Sequence, residues 1–309
     1  MKILITGGAG YIGSVLAPML LQEGHYVRVL DSLMYGGHGL LPCFAHKKFE
    51  FIKGDVRNEA VYNAAIKDVD VIINLAAIVG YPACKKDPRL AQEVNVGGAQ
   101  TLVNLRKKDQ LILHASTGSN YGAVIGDLCT EESPLSPLTI YGRTKTEAET
   151  IIREAGNSIT YRFATAFGVS NRMRLDLLIN DFVHQAVNMK NLIVYEGTFR
   201  RTFLNVYDLA RSFLFALSNH KALIDEVFNV GDESMNASKE DVARKIREKV
   251  DFYLHFADIG EDEDKRNYEV SYEKIRKAGY RTTISLEEGI DELIHAMSVV
   301  EIRNKFGNV

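Results

Sequence analysis

The sequence predicts an α/β protein built on a doubly wound parallel sheet. Short runs of β-branched and other apolar residues alternate with helical patterns through the first half of the chain. Such continuous apolar runs are typical of strands that helices bury on both faces. A glycine-rich turn joins the first strand to the first helix, and the 309 residues suffice for a sizeable core.

The expected elements follow one another along the chain. Strands are predicted over residues 3–6, 26–30, 49–52, 71–75, 111–115 and 160–164, and helices over 11–22, 59–66, 90–106 and 141–154. The second half is less regular, with helices predicted over 174–189, 206–218, 238–250 and 286–297 and strands over 192–195 and 227–230. Ser238, with Asp241 three residues later, predicts a capping box. No Pro/Gly linker separates the halves, so the second is expected to be a smaller lobe packed directly on the sheet.

Composition and charge narrow the class of partner. The formal net charge is -3 with both signs mixed, which argues against nucleic acid because phosphate-backbone binders usually carry a basic excess. Cys43, Cys84 and Cys129 fit neither a disulfide framework nor a zinc cluster, so free thiols and no metal are expected. The most apolar stretch, residues 71–80, is too short to cross a bilayer, and a strand begins almost at the first residue. We expect a cytoplasmic protein with no membrane segment.

The turn after the first strand has the spacing of a dinucleotide-binding loop. Gly7 permits the tight turn, Gly10 lets a pyrophosphate approach the backbone, and Gly13 lets helix and strand pack closely. The helix that follows offers N–H groups and a positive dipole end to phosphates. Asp31 ends the second strand, where a carboxylate accepts hydrogen bonds from ribose hydroxyls and repels a 2′-phosphate. NAD is therefore expected rather than NADP, with Asp55 near the adenine end; a purely structural cap is the alternative interpretation of Asp31.

Tyr141 and Lys145 form the second candidate motif. They are four residues apart and so share one face of a predicted helix. An ammonium beside a phenol stabilises the phenolate, which would make Tyr141 a usable acid or base near neutral pH. The spacing alone is common by chance, and it gains weight here because a dinucleotide loop and five alternating strands precede it.

Hydroxyl side chains follow the fifth predicted strand. The carboxyl end of a parallel strand lies in the crevice where such folds bind ligands. Thr117 is the candidate for hydrogen bonding the reacting hydroxyl, with Ser116 and Ser119 as alternatives. His114 lies within the strand and is expected to be a core residue rather than a catalyst.

These motifs together resemble one family. The matching segments are TGGAGYIGS at 6–14, GDV at 54–56, LAA at 75–77, NV-x-G at 95–98, ST-x-x-x-YG at 116–122, YGRTK at 141–145, YRFATAFG at 161–168, RRTFLNVYD at 200–208 and VFNVG at 227–231. The chain resembles the extended short-chain dehydrogenase/reductases, specifically the NAD-dependent nucleotide-sugar epimerase/dehydratase family, over nearly its whole length. The resemblance implies an NAD-binding Rossmann domain over 1–168 and mainly a substrate-binding lobe over 169–309, with about 203–231 returning to the Rossmann domain.

The resemblance also implies the reaction and its residues. Tyr141 would remove the proton of a sugar hydroxyl, usually that on C4 of a nucleoside-diphosphate sugar, while hydride passes to NAD; Thr117 and Lys145 would complete the catalytic trio. The residues expected to bind NAD are Gly7, Gly10, Tyr11, Ile12, Gly13, Asp31, Asp55, Val56, Leu75, Ala76, Ala77, Asn95, Tyr141 and Lys145. Those expected to bind the substrate are Ser116, Ser119, Thr165, Asn180, Arg201 and Arg266, the two arginines at its phosphates. A homodimer is expected, paired through the helices over 90–106 and 141–154.

Two departures from the family pattern bear on the reaction. The 4,6-dehydratases of the family carry an Asp-Glu pair directly after the catalytic Thr, where this chain has Gly118 and Ser119, so 4,6-dehydration is not expected. Thr165 stands where many members have Asn, which puts the usual sugar contact in doubt. The segments 173–182 and 259–266 most resemble a subgroup that works on GDP-linked heptoses, including a 4-dehydrogenase.

Several functions stay open on the sequence. A 4-epimerase and a 4-dehydrogenase use the same three residues and differ in whether the keto sugar is re-reduced or leaves. An NAD-binding family member without turnover would have lost Tyr141 or Lys145, and both are present. A reductase of an apolar, non-nucleotide molecule would leave Arg201 and Arg266 without partners in the pocket.

Overall fold

The computed structural model describes residues 1–257 and 267–302. Its strands are β1 (Lys2–Thr6), β2 (Tyr26–Asp31), β3 (Phe49–Lys53), β4 (Val71–Asn74), β5 (Leu111–Thr117), β6 (Ala123–Cys129), β7 (Ser158–Phe163), β8 (Thr165–Phe167), β9 (Asn191–Tyr195), β10 (Arg200–Asn205), β11 (Val227–Val230), β12 (Asn236–Ser238), β13 (Tyr253–Ala257) and β14 (Asn267–Val270). Its helices are α1 (Gly13–Gln22), α2 (Glu59–Ile66), α3 (Tyr81–Lys86), α4 (Pro88–Ala91), α5 (Gly98–Leu105), α6 (Ile140–Glu154), α7 (Leu178–His184), α8 (Val206–Leu223), α9 (Lys239–Arg247), α10 (Glu273–Lys277) and α11 (Leu286–Val299).

Seven parallel strands form the main sheet, in the order β11-β7-β5-β4-β1-β2-β3. Successive residues of β1 point to opposite faces: Ile3 and Ile5 pack with α1 and α8, and Leu4 packs with α2, α5 and α6. Strand order reverses between β1 and β4, so a crevice opens at their carboxyl ends. The predicted doubly wound parallel sheet is confirmed.

Three small sheets lie outside the main one, formed by β8, β10 and β12, by β9 and β13, and by β6 and β14; all these strands except β6 come from the second half of the chain. Strand β11 lies in the main sheet beside β7. The capping box predicted from Ser238 and Asp241 is present at the start of α9. Within residues 1–257 and 267–302, no helix has the length and apolar character that a membrane crossing requires.

Several predicted helices differ from the observed ones; α8 runs five residues beyond its predicted end, to Leu223, and α9 ends at Arg247 rather than at residue 250. The helix predicted over 11–22 begins at Gly13, because the residues before it form the glycine turn. The helix predicted over 90–106 consists of α4, a π-helical segment at Gln92–Gly97 and α5. The helix predicted over 174–189 begins only at Leu178. The residues before Leu178 bond differently: the Arg174 carbonyl accepts the Asn180 amide at 2.9 Å, and the Arg174 side chain pairs with Asp176.

One buried carboxylate joins the last helix to the rest of the fold. Asp208, in the first turn of α8, has no exposed surface. It accepts hydrogen bonds from the backbone N–H groups of Thr283 and Ile284 at 2.8 and 2.9 Å, and from the Thr283 hydroxyl at 2.9 Å. Arg211 donates to it at 2.9 Å. Because these donors directly precede α11, Asp208 fixes where that helix begins.

Replacing Asp208 by Asn should lower the free energy of unfolding by about 2–4 kcal/mol, since an amide brings donors to a site already surrounded by donors and removes the charge they bind. Urea denaturation measures the change. The matched control is Asp251→Asn, because Asp251 pairs with Arg247 but its side chain is 97% exposed. The control should change stability little. Equal losses in the two variants would contradict the role given to Asp208.

Candidate active site

The glycine turn approaches the end of β4 so closely that no side chain fits. Gly7 has a φ of 71°, and a Cβ there would lie 2.8 Å from the backbone N and Cα of Ala76. A Cβ on Gly13 would lie 2.5 Å from the Cα of Gly8. The Gly7 N–H donates to the Leu30 carbonyl at 2.9 Å, which ties the turn to β2. The turn therefore exposes its backbone to a ligand that approaches as closely as a pyrophosphate.

Asp31 is the last residue of β2; it binds backbone N–H groups near the glycine turn and also lines the cavity beside that turn. Its carboxylate accepts hydrogen bonds from the N–H groups of Ala9 at 2.9 Å and Leu33 at 2.7 Å. Burial raises the pKa of Asp31, and these two hydrogen bonds and the charge of Arg172 oppose the rise. Arg172 stacks on the ring of Tyr35 at 4.8 Å, and both side chains line the same cavity as Asp31. Asp31 can therefore act as a structural cap for nearby backbone N–H groups and still present its carboxylate to the ribose of a bound cofactor.

The cavity beside the turn opens to solvent and is lined by the turn, by the end of β2 and by the residues after β4. It offers backbone donors and the start of α1 for a pyrophosphate, carboxylates for ribose hydroxyls, and apolar walls for rings, so its shape and chemistry fit a dinucleotide. The residues predicted to bind NAD that line it are Gly7, Gly10, Tyr11, Ile12, Gly13, Asp31, Asp55, Val56, Leu75, Ala76 and Ala77.

Two residues of the predicted cofactor set bind other parts of the protein. Asp55 lines the cavity but pairs with Arg57 at 2.8 Å, and the hydrogen bonds from Arg57 lower the pKa of Asp55. Asn95 does not line the cavity. Its amide accepts from the Ile78 N–H at 2.8 Å and donates to the Ile78 carbonyl at 3.1 Å and the Thr144 hydroxyl at 3.0 Å. Asn95 therefore holds the loop after β4 against α6.

A second cavity, of about 890 Å³, adjoins the first. Thr117 at the end of β5 and Tyr141 and Lys145 on α6 line it together. We call it the catalytic cavity. Its lining also includes Ser116, Ser119 and Thr165, three of the residues predicted to bind substrate. Six residues are common to the two cavities: Ile12, Leu75, Ala77, Val79, Ala166 and Arg174.

The first turn of α6 is fixed by a side-chain cap. The Thr139 hydroxyl accepts the N–H of Gly142 at 3.0 Å, which sets where Tyr141 and Lys145 lie. Lys145 is only 4% exposed. Burial lowers the pKa of Lys145 to about 8, and the carboxylate of Glu149 opposes that shift. The ammonium is therefore protonated at neutral pH but close to losing its proton.

The hydroxyls that end β5 are bonded within the protein. The Thr117 hydroxyl donates to the Ser119 hydroxyl at 3.1 Å and accepts the Ser119 N–H at 3.2 Å. The Ser116 hydroxyl donates to Glu149 at 2.5 Å. The Ser116 proton is therefore bound by a buried carboxylate, whereas the Thr117 hydroxyl lies at the surface of the cavity.

His114 precedes these hydroxyls on β5 and is wholly buried. Its Nδ1 lies 3.2 Å from the amide nitrogen of Asn74. Burial, and then the charge of Lys145, lower the pKa of His114 well below its usual range, so the imidazole is neutral. This agrees with the expected core position.

A third cavity opens beside the catalytic cavity and is lined by three cations, Arg174, Arg201 and Lys239, and by the carboxylates of Asp176 and Asp181. Arg201 on β10 is 2% exposed and Lys239 at the start of α9 is 3% exposed. The Lys239 ammonium donates to the Tyr195 carbonyl at 2.9 Å. Arg174 lines all three cavities and pairs with Asp176 at 2.5 Å. Buried cations along an open cavity suit an anionic ligand such as a diphosphate.

Asn180, also predicted to bind substrate, lines none of the three cavities. Asn180 is wholly buried; it accepts the Gly168 N–H at 3.0 Å and donates to the Arg174 carbonyl at 2.9 Å and the Tyr11 hydroxyl at 3.2 Å. Its amide is therefore occupied by the fold and does not face the third cavity. Arg266 lies outside the described residues.

Sequence reasoning missed Arg174 and Lys239. Arg174 falls inside a stretch predicted as helix, which hides that the backbone there is irregular. Lys239 follows the capping residue Ser238, a position where lysine is normally solvated. The only available signal for Arg174 was its place between Arg172 and Asp176, a cluster of charges within an otherwise apolar segment.

Comparison with known proteins identifies the family. The model of the NAD dependent epimerase/dehydratase family matches residues 3–231. The chain belongs to this family. A low-salt glycan biosynthesis protein of Haloferax volcanii is 29% identical over 306 residues, which are 95% of this chain and 97% of that protein. The protein is therefore an NAD-dependent enzyme of the short-chain dehydrogenase/reductase type.

Solved structures of two family members have the same fold. The UDP-glucuronic acid 4-epimerase of Bacillus cereus, in complex with UDP-glucuronic acid and NAD, is 27% identical with a TM-score of 0.85, over 96% of this chain and 99% of that chain. The dTDP-glucose 4,6-dehydratase of Bacillus anthracis, in complex with NAD, is 27% identical with a TM-score of 0.83, over 96% of each chain.

The NAD dependent epimerase/dehydratases thus include relatives that carry out two different reactions, and one feature of the catalytic cavity bears on the difference. Gly118 and Ser119 begin the 3-10 turn that follows β5. Among the described residues that line this cavity there is neither Asp nor Glu. The ionisable side chains on this lining are those of Tyr81, Tyr141, Lys145 and Arg174.

Replacing Gly7 by Ala should weaken NAD binding more than about tenfold, because the added methyl would displace the Ala76 backbone that walls the cofactor cavity. Titration of the purified variant with NAD by calorimetry measures the loss. Gly24→Ala is the control: Gly24 also has positive φ, of 82°, but its nearest neighbour would be Lys48 Nζ at 3.8 Å. It should cost about 1 kcal/mol of stability and leave NAD affinity unchanged. An unchanged affinity in the Gly7 variant would be incompatible with the cofactor site described above.

Proposed function

We propose that the protein oxidises C4 of a nucleoside-diphosphate sugar and gives a 4-keto intermediate or product, as a 4-epimerase or a 4-dehydrogenase. One observation carries the proposal. The cavity lined by Thr117, Tyr141 and Lys145 adjoins the cavity at the glycine turn on one side and the cavity that carries Arg201 and Lys239 on the other. A sugar held between a cofactor and a diphosphate site would meet those three side chains.

In the proposed reaction Tyr141 accepts the proton of the sugar C4 hydroxyl. The ammonium of Lys145 stabilises the phenolate that must form first, and it does so strongly because it is buried where water screens little. The Thr117 hydroxyl binds the reacting oxygen and orients its proton. NAD, when bound, supplies the acceptor for the hydrogen leaving C4.

The third cavity is proposed to hold the nucleoside diphosphate. Arg201 and Lys239 are nearly buried there, so an apolar substrate would leave their charges in a poorly solvated pocket, whereas phosphate oxygens would bind them. This disfavours the reduction of a non-nucleotide molecule. The absence of Asp and Glu from the described lining of the catalytic cavity disfavours 4,6-dehydration, because no carboxylic acid is at hand to protonate a leaving hydroxyl.

A GDP-linked heptose is the specific substrate we propose. The segment 173–182, which resembles the GDP-heptose subgroup, contributes Arg174, Asp176 and Asp181 to the third cavity. Carboxylates beside a sugar site accept hydrogen bonds from hydroxyls, which a heptose has in excess over a hexose. Burial raises the pKa of Asp181, and its hydrogen bond with Gln185 opposes the rise.

We further propose a cytoplasmic homodimer. Its interface would include α5 and α6, whose exposed positions carry Gln100, Asn104, Glu147 and Thr150. These side chains are polar, so the pairing would depend on hydrogen bonds more than on apolar contact.

A panel of GDP-, UDP- and dTDP-linked sugars, including a GDP-heptose, tests the reaction. NADH absorbance reports net oxidation, and NMR of the product separates an epimer from a keto sugar. Absence of both signals with every sugar would refute the proposed function.

Tyr141→Phe should lower kcat at least about 100-fold, because phenylalanine cannot accept the proton, while NAD affinity stays as in the wild type. Stopped assays with the best sugar of the panel and calorimetry with NAD give the two values. Tyr253→Phe is the control, since Tyr253 lies on β13 with 65% of its surface exposed, and it should keep wild-type kcat. Substantial turnover by the Tyr141 variant would rule out its role as the base.

Arg201→Ala should weaken binding of the free nucleoside diphosphate by about 10- to 100-fold, as expected for loss of a charge-assisted hydrogen bond. Arg200→Ala is a closely matched control. Arg200 is the preceding residue, but its side chain is 41% exposed and donates to Glu269 at 2.7 Å. Competition against the sugar substrate measures both variants. If the two lost affinity equally, the third cavity would not be the diphosphate site.

A further inference from the structure

Helix α6 carries a third polar residue on the side that faces the site. Tyr141, Lys145 and Glu149 follow one another at four-residue intervals and so share one face. Glu149 is 1% exposed. Glu147, on the opposite side of the helix, is exposed and accepts a hydrogen bond from Gln92 at 3.1 Å. A carboxylate as deep as Glu149 needs strong partners, because burying an unpaired charge is costly.

Those partners come from three separate elements. The Ser116 hydroxyl of β5 donates to Glu149 at 2.5 Å, and the Asn120 amide donates from the following 3-10 turn at 3.0 Å. Arg162 of β7 donates through two nitrogens, at 2.7 and 3.1 Å. Because Ser116 directly precedes Thr117, the carboxylate fixes the reacting end of β5 against α6.

The same carboxylate acts on Lys145 through its charge. Burial lowers the pKa of Lys145 to about 8, whereas Glu149 and then Cys84 of α3 raise it. His114 of β5 also faces Lys145 but is neutral, since burial and the ammonium lower its pKa. Tyr141 lies one turn back on α6, and Tyr81 and Arg174 line the same cavity as Lys145. Of the two groups that raise the pKa of Lys145 and so favour its charged form, Glu149 has the larger effect.

Two arginines lie beside Glu149. Arg162 is bonded to it, and the half-exposed Arg153 lies 4.0 Å away. Both offset part of the carboxylate charge, so the net attraction that Glu149 exerts on Lys145 is what remains after this pairing. We propose that Glu149 is a positioning residue that keeps Lys145 protonated and holds Thr117 in place. The inference rests on the proposed function for its catalytic meaning, but its effect on Lys145 is measurable without a sugar.

Glu149→Gln tests the charge, with Glu147→Gln as the matched control on the same helix. Activity that needs protonated Lys145 is present below the pKa of Lys145 and is lost as the pH rises through it. Removing the Glu149 charge lowers the pKa of Lys145, so the fall in kcat at high pH (the high-pH limb) should begin about one pH unit lower than in the wild type. The control should keep the wild-type limb. A Glu149→Gln enzyme that folds and keeps the wild-type limb overturns the proposal.

A readout without sugar separates this inference from the proposed function. The emission of NADH bound to the enzyme should titrate with Lys145, and Lys145→Met should abolish the titration. In Glu149→Gln the midpoint should fall by the same amount as the kinetic limb. Failure of every sugar to react would refute the proposed function alone, whereas an unmoved NADH midpoint would refute the role of Glu149.

Two more variants guard against loss of folding. Ser116→Ala removes the link to β5 and leaves the charge, so kcat should fall several-fold with the limb in place; a wild-type kcat would refute the positioning of Thr117. Glu149→Gln combined with Arg162→Met removes both buried charges and avoids an unpaired guanidinium. If the single variant does not fold, the double variant must show the lowered midpoint, and an unchanged midpoint there overturns the proposal.

Discussion

The reversal of strand order between β1 and β4 is the constraint on which the rest of the structure depends. Parallel pairing brings the carboxyl ends of β1, β4 and β5 to one edge of the sheet, so the glycine turn, the loop after β4 and the hydroxyls after β5 meet there. Because β1 and β4 are neighbours, Gly7 after β1 lies close to Ala76 after β4. Three cavities share walls at that edge because the three strands end together.

Buried charges give the site its chemical character. Lys145, Arg201 and Lys239 are each less than a twentieth exposed. Every such charge is held where solvation is weak, which is unfavourable for folding but strengthens its attraction for an anion or a phenolate. The protein compensates within its own fold, through Glu149 near Lys145 and the Tyr195 carbonyl at Lys239. The cations facing the third cavity gain most from a ligand that brings negative charge.

Sequence patterns predicted what is local in the chain. Gly7, Gly10 and Gly13 lie within one turn, Tyr141 and Lys145 within one helix, and the strands of the sheet are continuous apolar runs, so each could be interpreted without knowing what packs against it. The family resemblance added Arg201, which lines a cavity as expected. Asn95 and Asn180 also carry polar amides at expected positions, but only the folded structure reveals that backbone groups from distant segments occupy them.

What could not be predicted depends on tertiary contacts. In the sequence, Lys239 resembles an ordinary lysine at a helix start, and its bond to the Tyr195 carbonyl on β9 is not predictable. Glu149 resembles a surface residue of a charged helix, and its pairing with Arg162 on β7 is equally hidden. The irregular backbone before Leu178 was hidden because Asn180, whose amide binds the Arg174 carbonyl, looks like an ordinary helix residue in the sequence. Short strands outside the main sheet, such as β8 and β12, were missed since three residues carry too little periodicity to detect.

The neutral imidazole of His114 simplifies how this enzyme can be studied. Histidine is the side chain that ordinarily gains or loses a proton near physiological pH, so it complicates the assignment of an inflection in a pH–rate profile to one residue. Here the one histidine beside the catalytic hydroxyls stays uncharged, and none of the described residues lining the three cavities is another. An inflection near neutrality is therefore to be sought in Tyr141 or Lys145 rather than in an imidazole of these cavities.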